Sequence, residues 1–396
     1  MLVSLVRVGA SRQSVAKAVV LTGADHRRVV AEVRLPTPPV NLAPAVLEPD
    51  ARQAGLIRAG LDGVWLGTHS AREEVFSYLG AVLAALANTA REHGATVAAP
   101  GIQLGTTPAV AAGDVHALRT VDTTEQEVLT NLLRRHSPVL IALAGRATIG
   151  PTQDRIGSRW LADSREHLAT RYLASADPRH LHHVKADLRR RDGIADLTRM
   201  DVAPRATEPA EVLVRCLDGQ VSLADLRAHA VLLAALALHA RRLVKTGRRE
   251  GNVPQTLIEG NRARAITHGL RARFTEEADR RPVQATRAAR RLLEGLLPVL
   301  SLLEATAEEL IPVLAPLELP EVGLPPLRTQ DLMAGMTRQG EQALARQAEY
   351  ELCDPRPGGG LLHWLRTTHP GRTELVLDKW RTALADGGAR RKKGGK

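Results

Sequence analysis

The apolar positions of this chain follow two rhythms. "VRVGASRQSV", Val6 to Val15, is apolar up to Gly9 and reads as the first strand of a domain. In "RRVVAEVRLPTPPV", Arg27 to Val40, Val29, Ala31, Val33 and Leu35 alternate with Val30, Glu32 and Arg34. That alternation predicts a strand ended by prolines, with Glu32 and Arg34 on one face. "SAREEVFSYLGAVLAALANTAREHG" predicts a helix, with Ser70 and Glu73 as a capping box and Gly94 as its stop. "ATVAAPG" reads as a short buried strand, and "DVHALRTV", Asp114 to Val121, as another. "TEQEVLTNLLRRH" follows as a helix with Thr124 and Glu127 as its capping box. Residues 145–199 are polar, rich in Arg and His and weakly periodic, so they read as long loops with short helices.

"AEVLVRCLD", Ala210 to Asp218, is the next strand. The strongest helix starts at Ser222 as cap, carries basic residues in its last turn and stops at Gly247. Further helices are expected at about Pro254 to Arg273, Val283 to Leu300, Leu302 to Leu314, Thr329 to Glu351 and Thr373 to Ala385. Strands spread among helices, with a helical C-terminal half, predict an α+β fold. Residues 1–386 read as one domain, and "GGARRKKGGK" (387–396) as a basic, disordered tail.

Composition narrows the classes. With 44% apolar residues but 2% aromatics, the core of this 396-residue chain must be mostly Leu, Val and Ala. The net charge of +11 favours anionic partners. Nucleic acid is disfavoured, because there is neither a known motif nor aromatics for stacking. Cys216 and Cys353 lie far apart without metal-ligand spacing, which excludes a disulfide framework. No signal peptide is recognisable, and the most apolar run, Ala230 to Ala240, is too short to span a bilayer. The expectation is a cytoplasmic protein without membrane contact. "LIALAGRATIG" lacks the Gly-Lys-Ser/Thr of a P-loop. His180, His182 and His183 in "HLHH" have no Cys or acid to complete a metal set and read as a solvated loop.

A resemblance enters with "EGNRARAITHGL", Glu259 to Leu270. It resembles the "ENRWRAARYGL" element of the bacterial carboxylate–amine ligase family that includes glutamate–cysteine ligase type 2, with Asn261, Arg262, Arg264, Ala265, Gly269 and Leu270 matching in order. "LPTPPV", "MDVAP" (Met200 to Pro204), the strand carrying Arg215 and Asp218, and "RQAEY" followed by "LLHWL" resemble further family pieces in the right order. The resemblance implies a glutamine synthetase-like fold, a curved antiparallel sheet forming an open funnel with helices outside. It also implies a reaction in which ATP phosphorylates a carboxylate and an amine displaces the phosphate. Arg side chains and Mg²⁺ would neutralise the phosphates, and Mg²⁺ requires carboxylate oxygens.

The departures from the family pattern fall at those acids. Where the family's first strand reads like "GVEEEF", Gly9 is followed by Ala10, Ser11, Arg12 and Gln13. Arg34, Asp114, Leu213 and Ala203 stand where the family has an acid, a His, an acid and an Arg, while His116 and Arg215 are kept. Two readings stay open. In the first, the chain is a divergent ATP-dependent carboxylate–amine ligase. The resemblance then implies Arg215, Arg262 and His116 as catalytic, and Asn261, Arg264 and Arg159 as cofactor-binding. Glu32, Glu211, Asp114 and Asp201 would rebuild a metal site for Mg²⁺ in altered form, since a two-residue shift keeps a side chain on its face. ATP and Mg²⁺ are the cofactors, and an amino acid or peptide carboxylate and an amine the substrates. In the second, the chain is a catalytically inactive relative that acts as a binding or partner subunit, beside an active homologue or as a homo-oligomer.

Overall fold

The first apolar run folds back on itself. Strand β1, Leu2–Gly9, pairs antiparallel with β2, Gln13–Gly23, bringing Leu2 opposite Leu21 and Gly9 opposite Ser14. This computed structural model describes residues 2–9, 13–23, 26–48, 69–98, 113–145, 147–149, 155–158, 168–193, 196–205, 210–220, 222–249, 251–276, 281–320, 322 and 350–393. The hairpin is the centre of a seven-stranded sheet. It is completed by β3 (Ala43–Glu48), β4 (Ala95–Ala98), β5 (Val115–Arg119), β8 (Val202–Arg205) and β9 (Glu211–Val214). The order is β3-β1-β2-β5-β9-β8, β4 pairs with β2, and every pairing is antiparallel. Short hairpins β6–β7 (Ala147–Ile149, Arg155–Gly157) and β10–β11 (Arg273–Thr275, Pro282–Gln284) stand apart.

Helices cover one face of this sheet. Val15, Val19 and Leu21 of β2 pack with Val75, Phe76 and Leu79 of α2, His69–Glu92. Leu118, Val202, Val212 and Val214 join the core of α3 (Thr123–Ala144) and α5 (Leu223–Lys245). Ser222 caps α5 through Asp225 N–H, and Gly247 follows its end at φ 65°. This helix is apolar almost all round, as an interior helix must be. It is the one described helix long and apolar enough to cross a membrane, yet 89% of that window is buried inside the protein. Helices α6 (Gln255–His268), α7 (Ala285–Leu300), α8 (Ala307–Glu318), α9 (Gly359–Thr368) and α10 (Pro370–Lys393) build the C-terminal half. The fold is mixed α+β.

Several local expectations are corrected. Residues 27–40 do not form a strand. His26–Glu32 is a helix, α1, followed by extended chain. Arg28 Nε donates to Glu32 Oε1 at 2.6 Å across one turn, and Val33 N donates to the Val29 carbonyl at 3.0 Å, so the period is helical despite the alternating letters. Helix α3 is capped two residues early: Asp122 accepts from Glu125 N–H at 2.7 Å, while Glu127 turns to Arg249. Helix α2 begins at His69, and Glu73 reaches Arg227 at 2.8 Å. "HLHH" lies on a helix, α4 (Pro178–Asp192), with Asp177 as cap, Pro178 in the first turn and Gly193 left-handed at φ 68°. Helix α10 continues to Lys393, into the expected tail. Gly387 is a packing position there, since a Cβ would lie 3.0 Å from the Leu297 carbonyl oxygen. The expected helix from Thr329 lies outside the described residues up to 349.

Candidate functional site

Antiparallel register fixes which side chains share a sheet face. Ser14 stands opposite Ala117, Ala117 opposite Leu213, and Leu213 opposite Ala203, forming one row across β2, β5, β9 and β8. Ala117, Leu213 and Ala203 are buried together as an apolar cluster. The ligase pattern would put an acid and an arginine at Leu213 and Ala203. Two residues along the same face, Arg119, Glu211 and Arg205 form a parallel row. Glu211 lies 3.6 Å from Arg119 Nε and 3.9 Å from Arg205 Nη1. It does sit on the Leu213 face, but between two guanidinium groups rather than beside other acids.

His116 sits on the opposite, helix-covered face, in a row with Val15, Val214 and Val202. It is fully buried, and neither ring nitrogen has a hydrogen-bond partner among the described residues. Burial, reinforced by His229 of α5, pushes its pKa down to about 3 and keeps it neutral. A side chain on this face does not share a site with Glu211.

The other proposed metal ligands are occupied elsewhere. Asp114 is fully buried; its Oδ1 accepts from Lys17 Nζ and Ala18 N, both at 3.0 Å, and its Oδ2 from Gln220 N at 2.8 Å. The residue ties β2 to the entry of α5. Glu32 is exposed at the end of α1, paired with Arg28 and with His93 Nε2 at 2.9 Å. Arg28, then His93, outweigh its slight desolvation and hold its carboxyl below the usual range. The three acids therefore do not converge, and among the described residues no three His, Cys, Asp or Glu side chains are grouped to hold a metal. This donor set does not fit Mg²⁺, which needs several oxygens in near-octahedral array.

Two matched motifs do meet. Arg262 of α6 forms a buried bidentate pair with Asp201, Nε to Oδ2 at 2.6 Å and Nη2 to Oδ1 at 2.9 Å. Burial opposes its charge, but Asp201 more than offsets this and raises its pKa. Arg215 joins them through backbone, its N–H donating to the Asp201 carbonyl at 2.9 Å, while its Nη1 donates to the Thr198 carbonyl at 3.2 Å. These contacts lock "MDVAP" to "NRAR". Asn261 holds both backbone groups of Thr275, donating to its carbonyl at 2.9 Å and accepting from its N–H at 2.8 Å. Arg264 donates through Nη1 to Asn261 Oδ1 at 3.1 Å and to Thr275 Oγ1 at 3.2 Å. Arg159 and Arg12 lie outside the described residues, and Arg34 is exposed beyond α1.

The buried cations went unread in the sequence. Lys17 was findable as a lone charge in the apolar run "VAKAVVL". The pairing of Arg72 and Arg227 with Glu309 links residues 237 and 82 positions apart and left no local signal. No family model matches the chain, and no curated protein matches it, so the likeness to the ligases rests on the motifs themselves.

Proposed function

We propose that this chain is a catalytically silent relative of the carboxylate–amine ligases, a binding or partner subunit on a glutamine synthetase-like frame. The observation that carries this reading is Asp114, whose two oxygens accept from Lys17, Ala18 and Gln220 inside the core. Making it a Mg²⁺ ligand would leave the Lys17 ammonium buried without its counter-charge, which costs about 3–5 kcal/mol. Glu211, between Arg119 and Arg205, is equally unsuited to a cation. Acyl-phosphate formation needs the triphosphate charge neutralised as the bond breaks. The apolar Ala117–Leu213–Ala203 row offers nothing for that task.

The test is calorimetric titration of the full chain with ATP, with and without Mg²⁺, followed by an assay for phosphate release with glutamate and an amine. The expected result is no Mg²⁺-dependent binding and no release. Mg²⁺-dependent ATP binding with phosphate release would restore the ligase reading and overturn this one.

A further inference from the structure

A cleft of 340 Å³ opens between α6 and the β10–β11 hairpin. Thr256, Leu257, Gly260 and Arg264 line it from the helix, and Thr275 and Glu276 from the end of β10. Thr256, Gly260 and Arg264 are spaced by four and share one helix face. Gly260 leaves the space open, since a methyl group there would lie 3.8 Å from Arg264 Nη1 and meet nothing nearer.

Arg264 is held ready. Its Nη1 donates to Asn261 Oδ1 and Thr275 Oγ1, and Asn261 is in turn fixed by the Thr275 backbone. Nε and Nη2 remain without partners among the described residues. In a guanidinium these two N–H groups lie side by side on one edge, which matches the two oxygens of a carboxylate. Glu276 supplies the opposite charge: Oε1 accepts from Arg291, and its second oxygen has no partner among the described residues.

A guanidinium edge and a carboxylate in one cleft favour a ligand that carries both charges. Glu276 counts against a nucleotide triphosphate by like-charge repulsion. The volume falls at the low end of the roughly 300–1,000 Å³ of small-molecule sites. We infer that this cleft binds a free α-amino acid, its carboxylate on the Arg264 edge and its ammonium at Glu276, beside the hydroxyls of Thr256 and Thr275. The cleft lies off the central sheet, so the inference stands independently of the proposed function.

The test titrates the full chain, without ATP, with L-alanine, L-leucine and L-glutamate, using acetate and methylammonium as single-charge controls. At least one amino acid is expected to bind, and neither control at the same concentration. Arg264→Lys keeps the charge but loses the paired edge, and should weaken binding at least tenfold. Gly260→Leu fills the cleft and should abolish binding. Leu is the better helix former, so thermal unfolding should show that variant at least as stable as the parent. Binding by none of the three amino acids, acetate binding as tightly as they do, or unchanged binding in Arg264→Lys would overturn the inference.

Discussion

His116 is a neutral imidazole without a hydrogen-bond partner among the described residues, placed against His229 inside the core. Its ordinary pKa of 6.5 falls to about 3 on folding, so the unfolded chain takes up the proton first as pH drops. Stability is untouched above the unfolded value. It falls by about 1.4 kcal/mol per pH unit between the two pKa values, then levels off. Urea unfolding at about pH 7 and about pH 5 should therefore show roughly 2 kcal/mol less acid loss in His116→Leu than in the parent. Equal losses in both would mean that His116 is not held neutral. At this scale the sequence named the residue but not its surroundings. His116 was legible as a residue that the resemblance to the ligases singles out, whereas its face follows from register with Val15 and Val214. Glu32 shows the same limit, because alternating letters over seven residues suit a strand and a short helix alike until Arg28 and His93 are in place.

Among elements, the firmest joint is built from charge. Glu309, in the first turn of α8, accepts from Arg72 Nε of α2 at 3.0 Å and from Arg227 Nε of α5 at 2.9 Å. Arg72 also donates to the Leu303 carbonyl at 2.8 Å, and Arg227 to that of Pro355 at 3.1 Å. Burial alone would raise the Glu309 pKa, but Arg72 and then Arg227 outweigh it and hold the group ionised. Glu309→Gln leaves two guanidinium groups without their shared counter-charge and should cost about 3–5 kcal/mol in urea unfolding. Asp187→Ala on the exposed face of α4 removes pairs to Arg190 and Arg191, and should cost about 1 kcal/mol or less. Similar losses for the two would show that the joint carries no special share of stability. The long helices were readable from their own caps and apolar stripes, as Ser222 and Gly247 show for α5. Helix α4 was missed because only Leu181 and Leu188 anchor it, although Asp177, Pro178 and Gly193 marked both its ends.

For the molecule as a whole, the described part of the central sheet gathers no cluster of acids on the Leu213 face, where the Arg119–Glu211–Arg205 row carries a single carboxylate. Helices bury the face of Val15, His116 and Val214, and on the other face Ala16, Ala18, Ala117, Leu213 and Ala203 are buried as well. An α+β sheet was legible from the spread of strands, and Glu211 was correctly placed on the Leu213 face by the two-residue rule. The pairing that aligns Leu213 with Ala117 joins strands far apart in the chain, which no local pattern encodes. This arrangement bears directly on whether Leu213 could be replaced by the acid of the ligase pattern. Leu213→Glu puts a carboxylate at the position the ligase pattern implies, but sets it between two buried alanines and beside Glu211, a like charge two residues along the same face. Such a group must either remain protonated or carry an unpaired buried charge. The substitution should therefore cost at least about 3 kcal/mol in urea unfolding, and added Mg²⁺ should not recover it. A Leu213→Glu chain that keeps its stability and gains it further with Mg²⁺ would mean that this face is an open metal floor after all, one substitution away from ligase chemistry.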